Sequence, residues 1–243
     1  HRDLHSFPTR RSSDLLAGSC EIFDLVERKR LRPLRRTGTL ATLFLLGACF
    51  HSGILGLAYA TLICFVALLV VCVLRSQRRI SVVLDGAATL LCVMYVGWLF
   101  SSLVLLRALP QGAAWVTLLV VMMTATDTGA YFVGKIFGRH KLCPSLSPKK
   151  TVEGSLGGLL LPALLGYGLA PYFGLLAWQG AFLGTGVSLL GQVGDLWESA
   201  LKREVGVKDA GEFLGSHGGV LDRFDSLAFA APFFYLALIH ILR

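Results

Sequence analysis

The sequence predicts an all-α fold, a polytopic bundle of transmembrane helices, and three observations support this class. Hydrophobic residues make up 54% of the 243 residues, and the mean hydropathy is +0.66. Several apolar runs approach or exceed the ~20 residues that a helix needs to cross a bilayer. These runs do not alternate between apolar and polar positions, so they do not read as the strands of a membrane β-barrel.

Seven apolar segments account for most of the chain after residue 37. They cover 38–53, 56–74, 81–106, 112–134, 153–171, 177–197 and 223–242. The first segment is short for a full span and ends at the polar stretch His51-Ser52-Gly53. We therefore expect about seven membrane segments, joined by short polar gaps.

The basic residues lie in alternate gaps between these segments. One set of gaps contains "ERKRLRPLRR", "RSQRR", "KIFGRHKLCPSLSPKK" and the charged stretch that begins at Ser199. On the other side the basic residues are Arg107 and the terminal Arg243. The positive-inside rule then places the basic side in the cytoplasm. Orientation in a membrane thus explains the net charge of +8, and no nucleic-acid partner is expected.

Residues 1–15, "HRDLHSFPTRRSSDL", do not fit the pattern that follows them. They are polar and aperiodic, and they lack the apolar core of a signal peptide. We interpret this stretch as a non-native, disordered leader that resembles translated adaptor sequence. It is left out of the prediction of the fold.

Carboxylates stand at two adjacent helix ends on the predicted cytoplasmic side. Asp195 lies near the end of the sixth segment, and Asp222 and Asp225 open the last segment three residues apart. Three carboxylates brought together repel one another unless a cation lies between them, and such hard oxygen ligands suit Mg²⁺. Alternatively, Asp222 or Asp225 could simply cap the start of its helix.

The loop between these two helix ends is rich in cations and glycine. Lys202, Arg203, Lys208 and Arg223 are suited to binding polyphosphate, although they could also set orientation and contact anionic headgroups. Gly218 and Gly219 would let the backbone approach a ligand closely. The nearby His217 could bind phosphate, move a proton, or be purely structural.

A second polar group surrounds the end of the fourth segment. Asp127 lies deep in that segment, where a carboxylate is expected to face the interior of the bundle. The loop "SPKKTVEG" follows, with a turn expected at Pro148 and with side chains suited to an anion at the next helix start. These side chains are the cations Lys149 and Lys150 and the hydroxyls of Ser147 and Thr151, and Glu153 begins the helix itself. "GAYFVGKI" imitates part of a P-loop, but Ile136 replaces the required Ser or Thr.

The stretch from Ser199 to Asp225 resembles the signature of the phosphatidate cytidylyltransferase (CDP-diacylglycerol synthase) family. Every slot of that signature is filled at the right spacing, by Ser199, Lys202-Arg203, Lys208-Asp209, His217-Gly218-Gly219, Asp222-Arg223 and Asp225. "SPKKTVEG" and "DTGAYFVGKIFG" are similar to upstream segments of the same family. The resemblance is strong over 120–243 and extends over 16–119 only as a hydropathy profile. Gly215 departs from the family, which more often has Pro there.

The resemblance implies an enzyme that joins CTP to phosphatidate, releasing pyrophosphate and leaving CDP-diacylglycerol in the membrane. It implies N-terminal membrane helices in 16–119 and a catalytic membrane region with cytoplasmic loops in 120–243. Metal ligands for Mg²⁺ would be Asp195, Asp222 and Asp225. Catalytic residues would be Lys202, Arg203, Lys208, Asp209, His217 and Arg223. Substrate-binding residues would be Asp127, Ser147, Lys149, Lys150, Thr151, Glu153, Ser199, Gly218 and Gly219.

The same resemblance implies a homodimer in a bacterial inner membrane, with its active site on the cytoplasmic side. Two alternatives stay open at this point. One is a related CTP-dependent lipid kinase or an ether-lipid cytidylyltransferase, which a panel of lipid substrates would separate. The other is a cation transporter, which would explain Asp127 and Asp195 but not the basic loop.

Overall fold

The computed structural model of the chain describes residues 20–29, 31–75, 81–207 and 221–242, without the side chains of 221–223. The predicted leader, residues 1–15, lies outside these ranges. The described chain divides into two compact units, His1–Val104 with Leu201–Phe224, and Leu105–Ala200 with Asp225–Arg243.

The described residues of the first unit include a short N-terminal helix, three longer helices and a π-helical turn. Residues 20–28 are helical, and then α1 covers Arg35–Arg75. The next helix is α2, Val82–Val93, which runs through the π-helical turn Met94–Trp98 into α3, Leu99–Ala108. The start of α2 is capped by Ser81, whose hydroxyl accepts a hydrogen bond from the Leu84 amide at 3.2 Å.

Two predicted membrane segments lie within α1, which reverses direction at Gly53. Gly53 has φ 60° and ψ −142°, a conformation that glycine adopts without a steric penalty. The Cys64 thiol lies 3.8 Å from the Ala41 carbonyl oxygen, although a straight helix would separate these residues by ~35 Å. The two arms of α1 therefore run antiparallel, as the sequence predicted for 38–53 and 56–74.

A buried carboxylate fixes the chain that precedes α1. Asp85 accepts hydrogen bonds from the backbone amides of Arg32, at 2.7 Å, and Ser81, at 2.9 Å. Thr89, one turn later, accepts from the Leu34 amide at 2.8 Å. A buried charge needs such partners, and here they hold residues 31–34 against α2.

The second unit begins with α4, Gly112–Phe137, and a short antiparallel hairpin that the sequence analysis did not predict. Its strands are β1, Lys141–Cys143, and β2, Ser147–Thr151, with Lys141 opposite Thr151 and Cys143 opposite Ser147. Pro148 lies within β2 rather than in a turn, so that prediction was wrong. Proline is tolerated there because a two-stranded hairpin consists of edge strands, where an amide need not be donated.

Three more helices complete the second unit. They are α5, Val152–Leu169, which continues as a 3₁₀ turn at Ala170–Phe173, then α6, Ala177–Val205, and α7, Leu221–Ile241. Glycines let α5 approach its neighbours closely. A Cβ on Gly129 of α4 would lie 2.5 Å from the Gly157 carbonyl oxygen, and one on Gly180 of α6 would overlap the Gly166 backbone. Small residues at such interfaces are typical of helix packing in membranes.

Within the described residues, five helices are long and apolar enough to cross a membrane. They are Arg35–Arg75, Val82–Ala108, Gly112–Phe137, Val152–Phe173 and Phe224–Ile241. The all-α membrane bundle is confirmed, but the predicted number of seven segments is not. The count differs because the first two segments are the two arms of α1, which counts once, and because α6 is more polar than a membrane span.

Candidate functional site

Four predicted site residues come together in the second unit, each from a different element. Lys150 of β2 donates to the carboxylate of Asp195 on α6, and these side chains are 29% and 38% exposed. Asp127 of α4 interacts electrostatically with Lys150, Asp195 and Asp225 of α7. We call these four residues the polar cluster. It contains one cation and three carboxylates that are far apart in sequence.

Asp127 is exposed in this structure, so the prediction that it faces the interior of the bundle was wrong. The deep position of Asp127 in the apolar segment suggested burial, but its side chain is exposed, while its charge still interacts with those of Lys150, Asp195 and Asp225. The neighbouring Thr126 is the one that is buried, and its hydroxyl donates to the Met122 carbonyl at 3.0 Å. An accessible carboxylate beside two others is better placed to meet a cation or a substrate than an enclosed one.

Asp225 lies in the second turn of α7, not at its N-cap, so the capping alternative does not apply to it. Its carboxylate accepts from the amide and the hydroxyl of Ser226, at 2.5 and 3.1 Å. The α6 and α7 backbones approach each other here, because a Cβ on Gly194 would lie 2.8 Å from the Asp225 carbonyl oxygen. Gly194 directly precedes Asp195, so this close approach brings both carboxylates to one level of the helix pair.

The hairpin that carries Lys150 is held at its base by Glu153. This carboxylate accepts from the backbone amides of Arg139, at 3.1 Å, and His140, at 3.2 Å. The His140 ring nitrogen Nδ1 also lies 2.6 Å from Oε1 of Glu153. Glu153 was predicted to bind substrate, but the partners that the structure gives it belong to its own hairpin. It ties the end of α4 to the start of α5.

The other residues of "SPKKT" have separate positions. Thr151 caps α5, because its hydroxyl accepts from the Gly154 amide at 3.1 Å. Lys149 and Lys150 are neighbours on a strand, so their side chains point to opposite faces of the hairpin. Lys149 is exposed, and Ser147 is partly exposed at the start of β2.

The last two turns of α6 carry Ser199, Lys202 and Arg203, which are helical as predicted. Glu198, which directly precedes Ser199, is 1% exposed. The helix ends at Val205, and the predictions for Lys208, Asp209, His217, Gly218 and Gly219 lie outside the described residues, as do those for the side chains of Asp222 and Arg223. The polar cluster is therefore where the described residues of the candidate site come together.

The chemistry of the polar cluster fits a hard divalent cation in part. Among the described side chains, no group of three or more His, Cys, Asp or Glu residues is arranged to hold a metal ion. Mg²⁺, however, is usually held by only one or two protein carboxylates, with waters and substrate phosphates as its other ligands. Asp195 and Asp225, on adjacent helices, offer such a pair of oxygen ligands.

Sequence reasoning missed a hydrogen-bond network one helical turn from Asp195. Gln192 of α6 joins Ser155 of α5 and Ser188 of its own helix, and Ser188 in turn reaches the Gly158 carbonyl. We call this set the Gln192 network. An amide within an apolar run, three residues before Asp195 and so on the same helical face, is the signal that could have revealed it.

Comparison with known proteins gives a consistent family. The model of the family described as "Cytidylyltransferase family" matches residues 15–241. The phosphatidate cytidylyltransferase of Bacillus subtilis is 36% identical over 236 residues, 91% of this chain and 85% of the relative. That of Staphylococcus saprophyticus is 40% identical over 168 residues, 68% of this chain and 64% of the relative. A relative of the same name from Staphylococcus aureus is 40% identical over 166 residues and 63% of its length, so the chain spans just under two thirds of the staphylococcal proteins.

Proposed function

We propose that this chain, which belongs to the cytidylyltransferase family, transfers the cytidylyl group of CTP to phosphatidate. The products would be pyrophosphate and CDP-diacylglycerol, a precursor for phospholipid synthesis. The proposal follows the names of the relatives and the resemblance of the stretch from Ser199 to Asp225. The structural observation that carries it is the polar cluster.

The polar cluster has the composition that this reaction requires. The reaction brings together two anions, a lipid phosphate and a nucleoside triphosphate, and then releases a third. Barriers of this kind are lowered mainly by positioning and by neutralising charge. Lys150 supplies a cation that the Asp195 carboxylate already orients, and Asp225 would add a second hard oxygen ligand to that of Asp195.

Mg²⁺ is the cofactor that we propose. Asp195 and Asp225 would hold it, together with Asp222, whose side chain lies outside the description. The ion, when bound, would neutralise the triphosphate and the developing charge of pyrophosphate.

The side chains of the protein would then orient the substrates. The second ionisation of a phosphate monoester has a pKa of about 6, so the phosphatidate phosphate is largely a dianion near neutral pH. Its oxygen forms a bond to the α-phosphorus of CTP while the bond from that phosphorus to the β-phosphate bridge breaks. No strong base is needed, and Lys150 would neutralise charge on the phosphates as they approach.

Substrate access follows from the topology that the charges predict. We propose a bacterial inner membrane with the polar cluster on the cytoplasmic side, where CTP is available, and phosphatidate entering from the lipid. The apolar faces of the described helices, for example Leu156, Leu160 and Leu164 along α5, are exposed and suit contact with lipid chains. The family resemblance also leads us to propose a homodimer, which light scattering of the purified protein in detergent would test.

The first experiment measures pyrophosphate release from CTP in membranes that contain the chain. It is run with and without phosphatidate, with Mg²⁺ or with a chelator, and with Asp195→Asn. The matched control is Asp24→Asn, because Asp24 is an exposed carboxylate that pairs with Arg35 at 2.5 Å outside the polar cluster. We expect release that needs both phosphatidate and Mg²⁺, that is lost in Asp195→Asn and that is kept in Asp24→Asn.

A panel of lipid acceptors completes this test. Release with a phosphorylated ether lipid but not with phosphatidate would replace the proposed substrate, and transfer of phosphate to an isoprenoid alcohol would replace the reaction. If inserted, folded protein releases no pyrophosphate with any lipid, the proposed function is wrong.

A further inference from the structure

We propose that Gln192 is a positioning residue for this reaction, and that it acts by holding Asp195 and Lys150 in register. The inference rests on the proposed function for its kinetic consequences only. The Gln192 network itself is a structural observation, and one readout below does not depend on catalysis.

Every hydrogen-bonding atom of the Gln192 amide is used. Its Oε1 accepts from the Ser155 hydroxyl, and its Nε2 donates to the Ser155 carbonyl oxygen at 3.2 Å and to the Ser188 hydroxyl at 3.1 Å. Ser188 is completely buried, and its own proton goes to the Gly158 carbonyl oxygen at 2.7 Å. Three of these four hydrogen bonds link α5 to α6, and the fourth joins Gln192 to Ser188 within α6.

The directions of these bonds admit one orientation of the amide. The Ser188 proton is committed to Gly158, so its hydroxyl can only accept from Gln192. A rotated amide would place Oε1 against the Ser155 carbonyl, and two acceptors would then face each other. A carboxamide, with one acceptor and two donor positions, satisfies the network, whereas a carboxylate or an apolar side chain does not.

The network lies where three helices of the second unit meet. A Cβ on Gly158 would lie 3.1 Å from the Thr126 carbonyl oxygen of α4 and 3.2 Å from Nε2 of Gln192. Two of these helices, α4 and α6, carry a member of the polar cluster near this level, and α5 directly follows the strand that carries a third. Asp127 follows Thr126, Asp195 lies one turn after Gln192, and Lys150 precedes the cap of α5.

The network therefore fixes the position of Asp195 on α6 relative to Lys150 on β2. In a membrane, helices are not pressed together by a hydrophobic driving force, so interhelical hydrogen bonds and close packing set their relative positions. Rotation or sliding of α6 against α5 would move Asp195 away from Lys150. A misplacement of about 1 Å at a reacting centre can lower a rate about 100-fold.

The test uses Gln192→Leu, which removes all amide bonds at similar volume, and Gln192→Glu, which keeps the shape without the donors. We expect kcat to fall about 10- to 100-fold in both, with a smaller change in the KM for CTP. The matched control is Gln179→Leu at the other end of α6, where the amide oxygen only accepts from the Leu176 backbone at 2.9 Å. This control should keep kcat.

A double-mutant cycle separates positioning from general loss of structure. If Gln192 acts through the pair, Gln192→Leu should change kcat little once Lys150→Met has removed the partner of Asp195. Fold-changes that multiply would show independent action and overturn the proposal. If Gln192→Leu is not found in membranes, Ser155→Ala, which removes one donor only, carries the same cycle.

A cross-linking readout distinguishes this proposal from the proposed function. Lys150→Cys with Asp195→Cys, in a Cys143→Ser background, is treated with a short thiol cross-linker. We expect the rate of linkage to fall about 10-fold when Gln192→Leu is added, because the two thiols would no longer be held close together. With Gln179→Leu the rate should stay unchanged. The cysteine pair replaces two residues of the polar cluster, so activity is measured on the chain without these substitutions. If that chain releases no pyrophosphate with any lipid while Gln192→Leu still slows linkage, positioning stands and the proposed function is rejected; unchanged linkage would overturn positioning.

Discussion

Replacing Lys150 by methionine separates a catalytic cation from a merely structural ion pair. The change keeps the length of the side chain and removes its charge from the polar cluster. Lys150 and Asp195 are both about one third exposed, at 29% and 38%, so solvent screens their attraction. An exposed pair contributes about 0.2–1 kcal/mol to stability. The folding equilibrium should therefore change by about 1.4- to 5-fold, since 1.36 kcal/mol corresponds to tenfold.

The effect on the reaction should be much larger. A preorganised group that stabilises charge in the transition state is typically worth about 100- to 1,000-fold in rate. We expect Lys150→Met to lose activity on that scale while its detergent-solubilised melting temperature falls by no more than about 2–4 °C. Pyrophosphate release and thermal unfolding are measured on the same preparation.

The control is Lys135→Met, which removes an exposed lysine of α4 whose ammonium lies 5.6 Å from the centre of the Tyr131 ring. It should change neither activity nor stability appreciably. A loss of activity of no more than about 5-fold would be explained by the lost stability of the ion pair alone. Lys150 would then not act on the substrate, and the catalytic role proposed for the polar cluster would be wrong.

Three further changes test other parts of the structure. Glu153→Gln removes the charge that holds the base of the hairpin, so we expect faster amide exchange there by mass spectrometry and reduced activity; unchanged exchange would contradict the role assigned to Glu153. Gly129→Ala should destabilise the protein by about 1–3 kcal/mol through overlap with the α5 backbone, whereas Gly168→Ala, with open space around it, should not. Gly53→Ala should cost about 1–3 kcal/mol because alanine is strained at a φ of +60°, and Gly47→Ala is its control; equal melting temperatures of the two variants would refute the reversal at Gly53.

The fold could be predicted largely because apolar length is a strong signal. The reversal at Gly53 was visible as a polar interruption, and α4 and α5 match their predicted segments within a few residues. The hairpin was missed because its strands have three and five residues, too short to show alternation. The opposite error was made at α6. Its predicted segment, 177–197, was counted as a membrane span, although the helix is too polar to be one of the five candidate spans.

The candidate site was predictable in its residue types but not in its pairings. The sequence pointed to Asp195 and Lys150 for separate reasons, and only the structure joins them. Glu153 was assigned to substrate because it opens a helix, yet it holds backbone amides of its own hairpin. The exposure of Asp127 depends on how α4 is rotated within the bundle, which its surrounding apolar residues do not determine.

The junction between β2 and α5 has a mechanical consequence. The strand ends at Thr151, which is also the N-cap of α5. Lys150 is therefore joined to a membrane-spanning helix without a flexible linker. Helices meet changes in bilayer thickness by tilting, and a strand that continues the helix must tilt with it. Turnover should therefore respond to the thickness of the surrounding bilayer even when the acyl chains of the substrate are unchanged. A change in bilayer thickness would thus move Lys150 relative to Asp195 through the tilt of α5.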